Sequence, residues 1–354
     1  MRLKMVDADT LIGLVKQYSP SGCEKPAVDW LVERMQHVGF SNAFADDAGN
    51  AVGIMGSGER QIVLLGHIDT VPGEIPVREA DGFLFGRGTV DAKAPLACFV
   101  DAVSQIGPLD NWQFVVIGAI DEERDSVGAR FIIHEYAPNF AIVGEPNHWD
   151  RVSLGYKGSA SANLMVTQTK VHSAHADESA CERAVNLWLR VQEFAEKFNV
   201  ERGKIFDQLI VSLSSFESGE GSFDQWARLK IGARLPLDVP PQEYYVLLQE
   251  LLKEVNVQPV GYAIPAWKCE KNTPLVRALL AAIRSEGGTP SFVYKTGTAD
   301  LNIVAPTWNC PMVVYGPGDS ALDHSPYEKI DLNEYEKSVK VLVGTIKNLV
   351  SNAG

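Results

Sequence analysis

QIVLLGHIDTVPG, residues 61–73, is the stretch whose reading decides the fold. Its first half is a short, nearly continuous apolar run, the pattern of a strand covered on both faces. It then presents a histidine and a carboxylate two positions apart. Side chains alternate along a strand, so residues i and i+2 share a face. If His67 and Asp69 are still extended, the carboxylate holds one imidazole nitrogen and the other is left for a ligand. Val71-Pro72-Gly73 reads as a turn. Taken alone, residues 66–73 would equally fit a polar strand end with nothing bound.

The same pattern recurs on either side. QFVVIGAIDEE (113–123) and FAIVGEP (140–146) are apolar runs ending in acidic residues, and DAKAPLACFVDAVSQIG (91–107) and SVGARFIIHEYA (126–137) between them have helical spacing. Residues 8–18 and 25–39 also read as helices. Apolar strands alternating with helices indicate an α/β layer. From about 155 to 262 the runs SASANLMVTQ, LIVSLSSF and WARLKIGARLP alternate polar and apolar residues, as half-solvated antiparallel strands do, around two helical stretches. The α/β style returns with TPLVRALLAAIRSEGG, CPMVVYGPGD and the long helical LNEYEKSVKVLVGTIKNLV. The expected fold is α/β, a mixed, mostly parallel sheet sandwiched by helices. It comprises residues 1–154 plus 263–354, with an inserted α+β lid or dimerisation domain over 155–262.

The chain of 354 residues, 45% hydrophobic and 22% charged, has the composition of an ordinary globular protein of a size that accommodates two cores. No apolar stretch approaches the roughly 18–20 residues of a membrane span. The segment MRLKMVDADTLIGLVKQYSP reads as the start of an amphipathic helix, without the apolar core and cleavage site of a signal peptide. A net charge of −13 argues against nucleic acid as a partner. Cys23, Cys98, Cys181, Cys269 and Cys310 are scattered, odd in number and without a CxxC pair. That usage fits reduced thiols packed in a cytoplasmic protein and excludes a zinc ribbon.

Ligand sites in open α/β sheets lie outside the carboxyl ends of the strands. His67, Asp91 in GRGTVDAK, Glu123 in DEE and Glu145 in GEP all fall there, and His324 in LDHSPYE follows the strand of PMVVYGPGD by a short loop. Two histidines and three carboxylates suit a pair of divalent ions of zinc type with one carboxylate bridging. Glu122, beside a proposed ligand, is placed to remain uncoordinated and exchange a proton with water. Asp69 would fix the His67 ring. Each segment alone has an ordinary explanation, such as a solvated acidic pair, a turn, a helix cap or a surface histidine. Five together, each after a strand, make a constellation.

In HID (67–69), GRGTVDAK (86–93), DEE (121–123), GEP (144–146) and His324, in that order over essentially the whole chain, the sequence resembles the dinuclear zinc metallopeptidases of the acetylornithine deacetylase, succinyl-diaminopimelate desuccinylase and aminoacylase family. The resemblance implies two zinc or cobalt ions on His67, Asp91, Glu123, Glu145 and His324, with Asp91 bridging. It also implies Glu122 as general base and acid, Asp69 as the orienting carboxylate, and a cis peptide bond after Asp91. It further implies a lid histidine that stabilises the oxyanion, often across a dimer interface. His172 in KVHSAH fits that role and His175 is its rival. Arg234 in IGARLP matches a substrate-carboxylate arginine, and Lys295 and Thr298 in KTGTADLN fall in the substrate-pocket region. Ala94-Pro95 stands where many relatives have glycine, and Asp323 where alanine is common. YGPGD, LDH and KTGTADLN look most like the lysine-biosynthetic branch. That branch releases lysine or ornithine from an acidic amino-group carrier protein, or lysine from N-acetyl-lysine. The alternatives within the family are an acetylornithine deacetylase, a succinyl-diaminopimelate desuccinylase or a dipeptidase. The implied partners are an acylated amino acid, possibly presented by the carrier, and a second copy of the chain.

Overall fold

A computed structural model describes residues 8–170 and 177–351. The chain divides into two compact units. The first takes the chain up to Gly155, then Cys269–Tyr294, and resumes at Ala299; the second takes Tyr156–Lys268 and Lys295–Thr298.

The sheet of the first unit contains β1 (Asn42–Ala45), β2 (Ala51–Gly56), β3 (Arg60–His67), β4 (Trp112–Ala119), β5 (Phe140–Gly144), β6 (Arg151–Tyr156) and β7 (Met312–Val314). Its spatial order is β1-β2-β4-β3-β5-β7-β6. The centre, β4-β3-β5-β7, is parallel, and the outer pairs β1-β2, β2-β4 and β7-β6 are antiparallel. This is the mixed α/β sheet expected from the apolar runs. Residues 62–67 of β3 are all buried, as a strand covered on both faces must be.

The helix Lys93–Ile106 is buried all round along its first half, from Lys93 through Val100. Such a helix is enclosed rather than amphipathic. It packs on β3, β4 and β5 and against the helix Leu332–Ser351. Three glycines make the close approach to the sheet possible. Gly66 pairs in register with Gly118 on one side and Gly144 on the other. A Cβ would lie 3.2 Å from Leu96 Cβ at Gly66, 3.1 Å from Leu96 Cδ2 at Gly118, and 2.8 Å from the Phe99 ring at Gly144. Pro95 sits in the helix's first turn, where a missing N–H costs nothing.

Two helices end earlier than their periodicity suggests. The stretch 126–137 is helical only over Val127–Ile132, ahead of Pro138, whose ring disfavours helical geometry in the preceding residue. The first helix is Asp9–Val15. A small sheet that the periodicity does not announce joins Arg78–Ala80, Phe83–Phe85 and Lys329–Asp331.

The second unit has a four-stranded antiparallel sheet, ordered Ile210–Glu220, Asp224–Leu235, Gly158–Thr169, Val257–Pro259. Alternate residues Ala160, Ala162, Leu164 and Val166 face Ala184, Leu187 and Val191 of the helix Ala180–Asn199 in one core. A reciprocal capping box between Ser179 and Glu182 starts that helix. Among the described residues, no helix is long and apolar enough to cross a membrane.

Candidate metal centre

β3 stops at His67, Asp69 follows two residues on, and both are buried. His67 Nδ1 lies 3.0 Å from the backbone carbonyl of Asp69 and 3.5 Å from its Oδ1. The carbonyl, more than the carboxylate expected from alternation, therefore fixes the ring. The Asp69 carboxylate is shared more widely. It accepts the Ser21 hydroxyl at 2.7 Å and the backbone N–H groups of Glu122 and Glu123, both at 3.1 Å. The acidic turn after β4 is thereby tied to the histidine turn after β3.

Asp91 arrives from the other direction, just ahead of the helix seated on the glycines, and its peptide bond to Ala92 is cis. One carboxylate oxygen is 3.1 Å from His67 Nε2 and the other 3.1 Å from His324 Nε2. Asp91 thus stands between the two imidazoles with one oxygen for each. His324 Nε2 also lies 3.1 Å from Glu123. Among the described residues, potential ligand atoms converge in three groups, each within 4.8 Å: His67-Asp91-Glu145, Asp91-Glu123-His324, and His67-Glu122-Glu123. The first two share Asp91 and contain all five residues expected as ligands.

The electrostatics are those of an acidic cage. Burial, reinforced by Glu145, Asp300 and Glu123, pushes the Glu122 carboxyl well above its ordinary range against the pull of His67. Burial does the same to Glu145, helped by Asp91, Asp300 and Asp323. Burial disfavours a charged His67, but Asp69 and Asp91 outweigh it and raise the imidazole well above its usual value. Asp91 and Glu123 lift His324 to about 10. Burial opposes a charged Asp91, yet the two histidines hold it well below the usual carboxylate range.

Asp300, a residue the sequence reading did not single out as a site residue, is buried, and neither carboxyl oxygen makes a hydrogen bond of ordinary geometry. Burial pushes it up to about 7, although the Ser126 hydroxyl favours its charged form. So many acids in low dielectric, facing two imidazoles, call for added positive charge. Mixed nitrogen and oxygen donors suit divalent ions of the zinc type. The residues therefore fit a pair of such ions.

The remaining predicted residues fall elsewhere. His172 and His175 lie outside the described residues. Arg234, Lys295 and Thr298 belong to the second unit, where Arg234 Nη1 donates to Thr298 Oγ1 at 3.2 Å. That bond joins two of the three residues expected to bind substrate.

Comparison with known proteins gives the family. Residues 63–348 match the model of peptidase family M20/M25/M40. The LysW-lysine hydrolase of Deinococcus radiodurans is 41% identical, over 97% of this chain and 98% of the relative. Among solved structures, the M20 family metallo-carboxypeptidase Sso-CP2 from Sulfolobus solfataricus aligns with a TM-score of 0.78 at 17% identity, covering 96% of this chain and 98% of that one. The aminopeptidase PepT from Bacillus cereus aligns with a TM-score of 0.77 at 19% identity, covering 98% and 99%. At these identities the two structures speak for the fold.

Proposed function

The chain belongs to peptidase family M20/M25/M40, and from that premise we propose that it hydrolyses the amide linking the α-amino group of lysine, or of ornithine, to a carrier protein in amino-acid biosynthesis. It is a metal-dependent hydrolase of amide or peptide bonds. The observation carrying our assignment of residues is Asp91 set between His67 and His324, one oxygen to each.

In this reading His67, Asp91 and Glu145 hold one divalent ion, Asp91, Glu123 and His324 hold the other, and zinc is the ion, with cobalt as the alternative. Such ions supply Lewis acidity toward a scissile carbonyl and toward water. Glu122 takes the proton of the attacking water and returns it to the leaving amine. A carboxylate beside the ions but outside both proposed ligand groups is placed for both halves of that exchange. Asp69 keeps Glu122 in place through its backbone N–H and orients His67. His172 donates to the developing oxyanion, with His175 as the competing choice. Arg234 grips the substrate carboxylate with Thr298 beside it, and Lys295 lines the same pocket.

The first unit is the catalytic domain and the second the lid. Arg228, Lys230 and Arg234 stand exposed at alternate positions of the strand Asp224–Leu235, a basic stripe that suits an acidic carrier in spite of the overall charge of −13. Val185 and Leu189, exposed four residues apart on the helix Ala180–Asn199, favour a homodimer formed through the lid. Five unpaired cysteines favour the cytoplasm.

The deciding experiment assays carrier-linked lysine, N-acetyl-lysine, N-acetyl-ornithine and dipeptides side by side on metal-loaded enzyme. Carrier-linked lysine should be turned over with the highest kcat/KM; a clear dipeptide preference would overturn the assignment.

A further inference from the structure

Glu328, four residues beyond His324, is wholly buried. Its Oε1 accepts the backbone N–H of Val90 at 2.8 Å and of Asp91 at 3.0 Å, and its Oε2 accepts Arg87 Nη1 at 2.9 Å. Arg87 is nearly as buried. Its Nε donates to the Gly73 carbonyl at 2.9 Å, and its Nη1 also donates to the Ser325 carbonyl at 3.2 Å. One ion pair therefore joins HIDTVPG and GRGTVDAK to LDHSPYE, a ligand-bearing segment far from both in sequence. The backbone repeats the connection, since Lys329–Asp331 pairs antiparallel with Phe83–Phe85.

The two histidines are anchored differently. His67 ends a buried strand, with its ring held against Asp69. The His324 side chain is 55% exposed, on a loop with a left-handed φ of 59°. The loop is gripped from behind by Arg87 on the Ser325 carbonyl and, through Glu328, by the peptide N–H of Asp91.

We infer that the buried Arg87–Glu328 pair is a positioning device that sets the span between Asp91 and His324, and so governs the Asp91-Glu123-His324 group far more than the His67-Asp91-Glu145 group. The inference rests on the two-ion reading above. Groups that orient metal ligands typically influence metal affinity by about 10–100-fold.

The test is zinc titration of chelator-treated full-length protein by calorimetry, with cobalt absorption spectra as a second readout. Wild type should bind two equivalents; binding of none would sink the two-ion reading itself. Glu328→Gln keeps the shape but alters the pairing. It should bind one equivalent as wild type does and the other about 10–100-fold more weakly, with an isotherm and cobalt spectrum resembling those of His324→Ala rather than His67→Ala. Arg87→Lys keeps the charge but loses the fork to Gly73 and Ser325, and should show the same selective weakening in smaller degree. If Glu328→Gln does not fold, Arg87→Lys decides. Two undiminished equivalents, or equal weakening of both, would overturn the positioning role while leaving the two-ion reading intact.

Discussion

Asp69 holds Glu122 by its backbone: Oδ1 accepts the Glu122 N–H at 3.1 Å while the Asp69 carbonyl faces the His67 ring at 3.0 Å. The proposed base and a proposed ligand are thus placed by one buried residue. Asp69→Asn keeps the volume but replaces an acceptor oxygen with a donor, which then meets the N–H of Glu122 or of Glu123. Activity should fall about 10–100-fold. The check is kcat/KM alongside metal content.

Glu122→Gln removes the proton acceptor and leaves the five proposed ligands untouched. It should keep both metal equivalents and lose about 10²–10⁴-fold in kcat. Metal analysis and steady-state kinetics on one preparation separate the two effects; full turnover would remove Glu122 from the mechanism.

Chelator-treated protein should lose stability as pH rises from 5 to 9. Glu122 and Glu145, raised chiefly by burial, take up protons on folding in this range. His67 and His324, raised by neighbouring carboxylates, do the same. A group with a raised folded pKa stabilises most below its unfolded value, and that contribution is lost as pH climbs through the folded one. Lys93 and Lys157, lowered chiefly by burial to about 7 and about 8, act oppositely in the upper part of the range but are outnumbered, and the depressed Asp69 and Asp91 do so only in acid below their ordinary value of 3.8. Thermal midpoints across the range should fall without metal and flatten when zinc is added.

Gly316→Ala tests the seat of Glu145. A Cβ there would meet the Pro95 ring at 2.7 Å and the Glu145 carbonyl at 2.8 Å, and neither yields easily. The cost should be about 1–3 kcal/mol of stability, measured by denaturant titration, together with weaker metal binding.

Much of this was legible because parallel strands covered on both faces write themselves as apolar runs, and the residue after each run falls at one end of the sheet. His67, Glu123 and Glu145 could be placed that way, and Asp91 by the helix it precedes. The Arg87–Glu328 pair could not: its members are 241 residues apart, and Glu328 in SPYEK reads locally as a solvated acid. Asp300, inside KTGTADLN, is not legible as a site residue for a related reason. An acid at a helix start is ordinary until the fold buries it among other acids. The second duty of Asp69, gripping the acidic turn, depends on two strand ends being neighbours, which spacing within either segment does not reveal.

Gly66, Gly118 and Gly144, side by side beneath the helix Lys93–Ile106, make the thickness of a single hydrogen atom the ruler of this centre. The helix that follows Asp91 is seated through its Leu96 and Phe99 side chains on the strand that ends in His67 and on its neighbours. A side chain at any of the three positions would lift that helix and carry Asp91 away from His67.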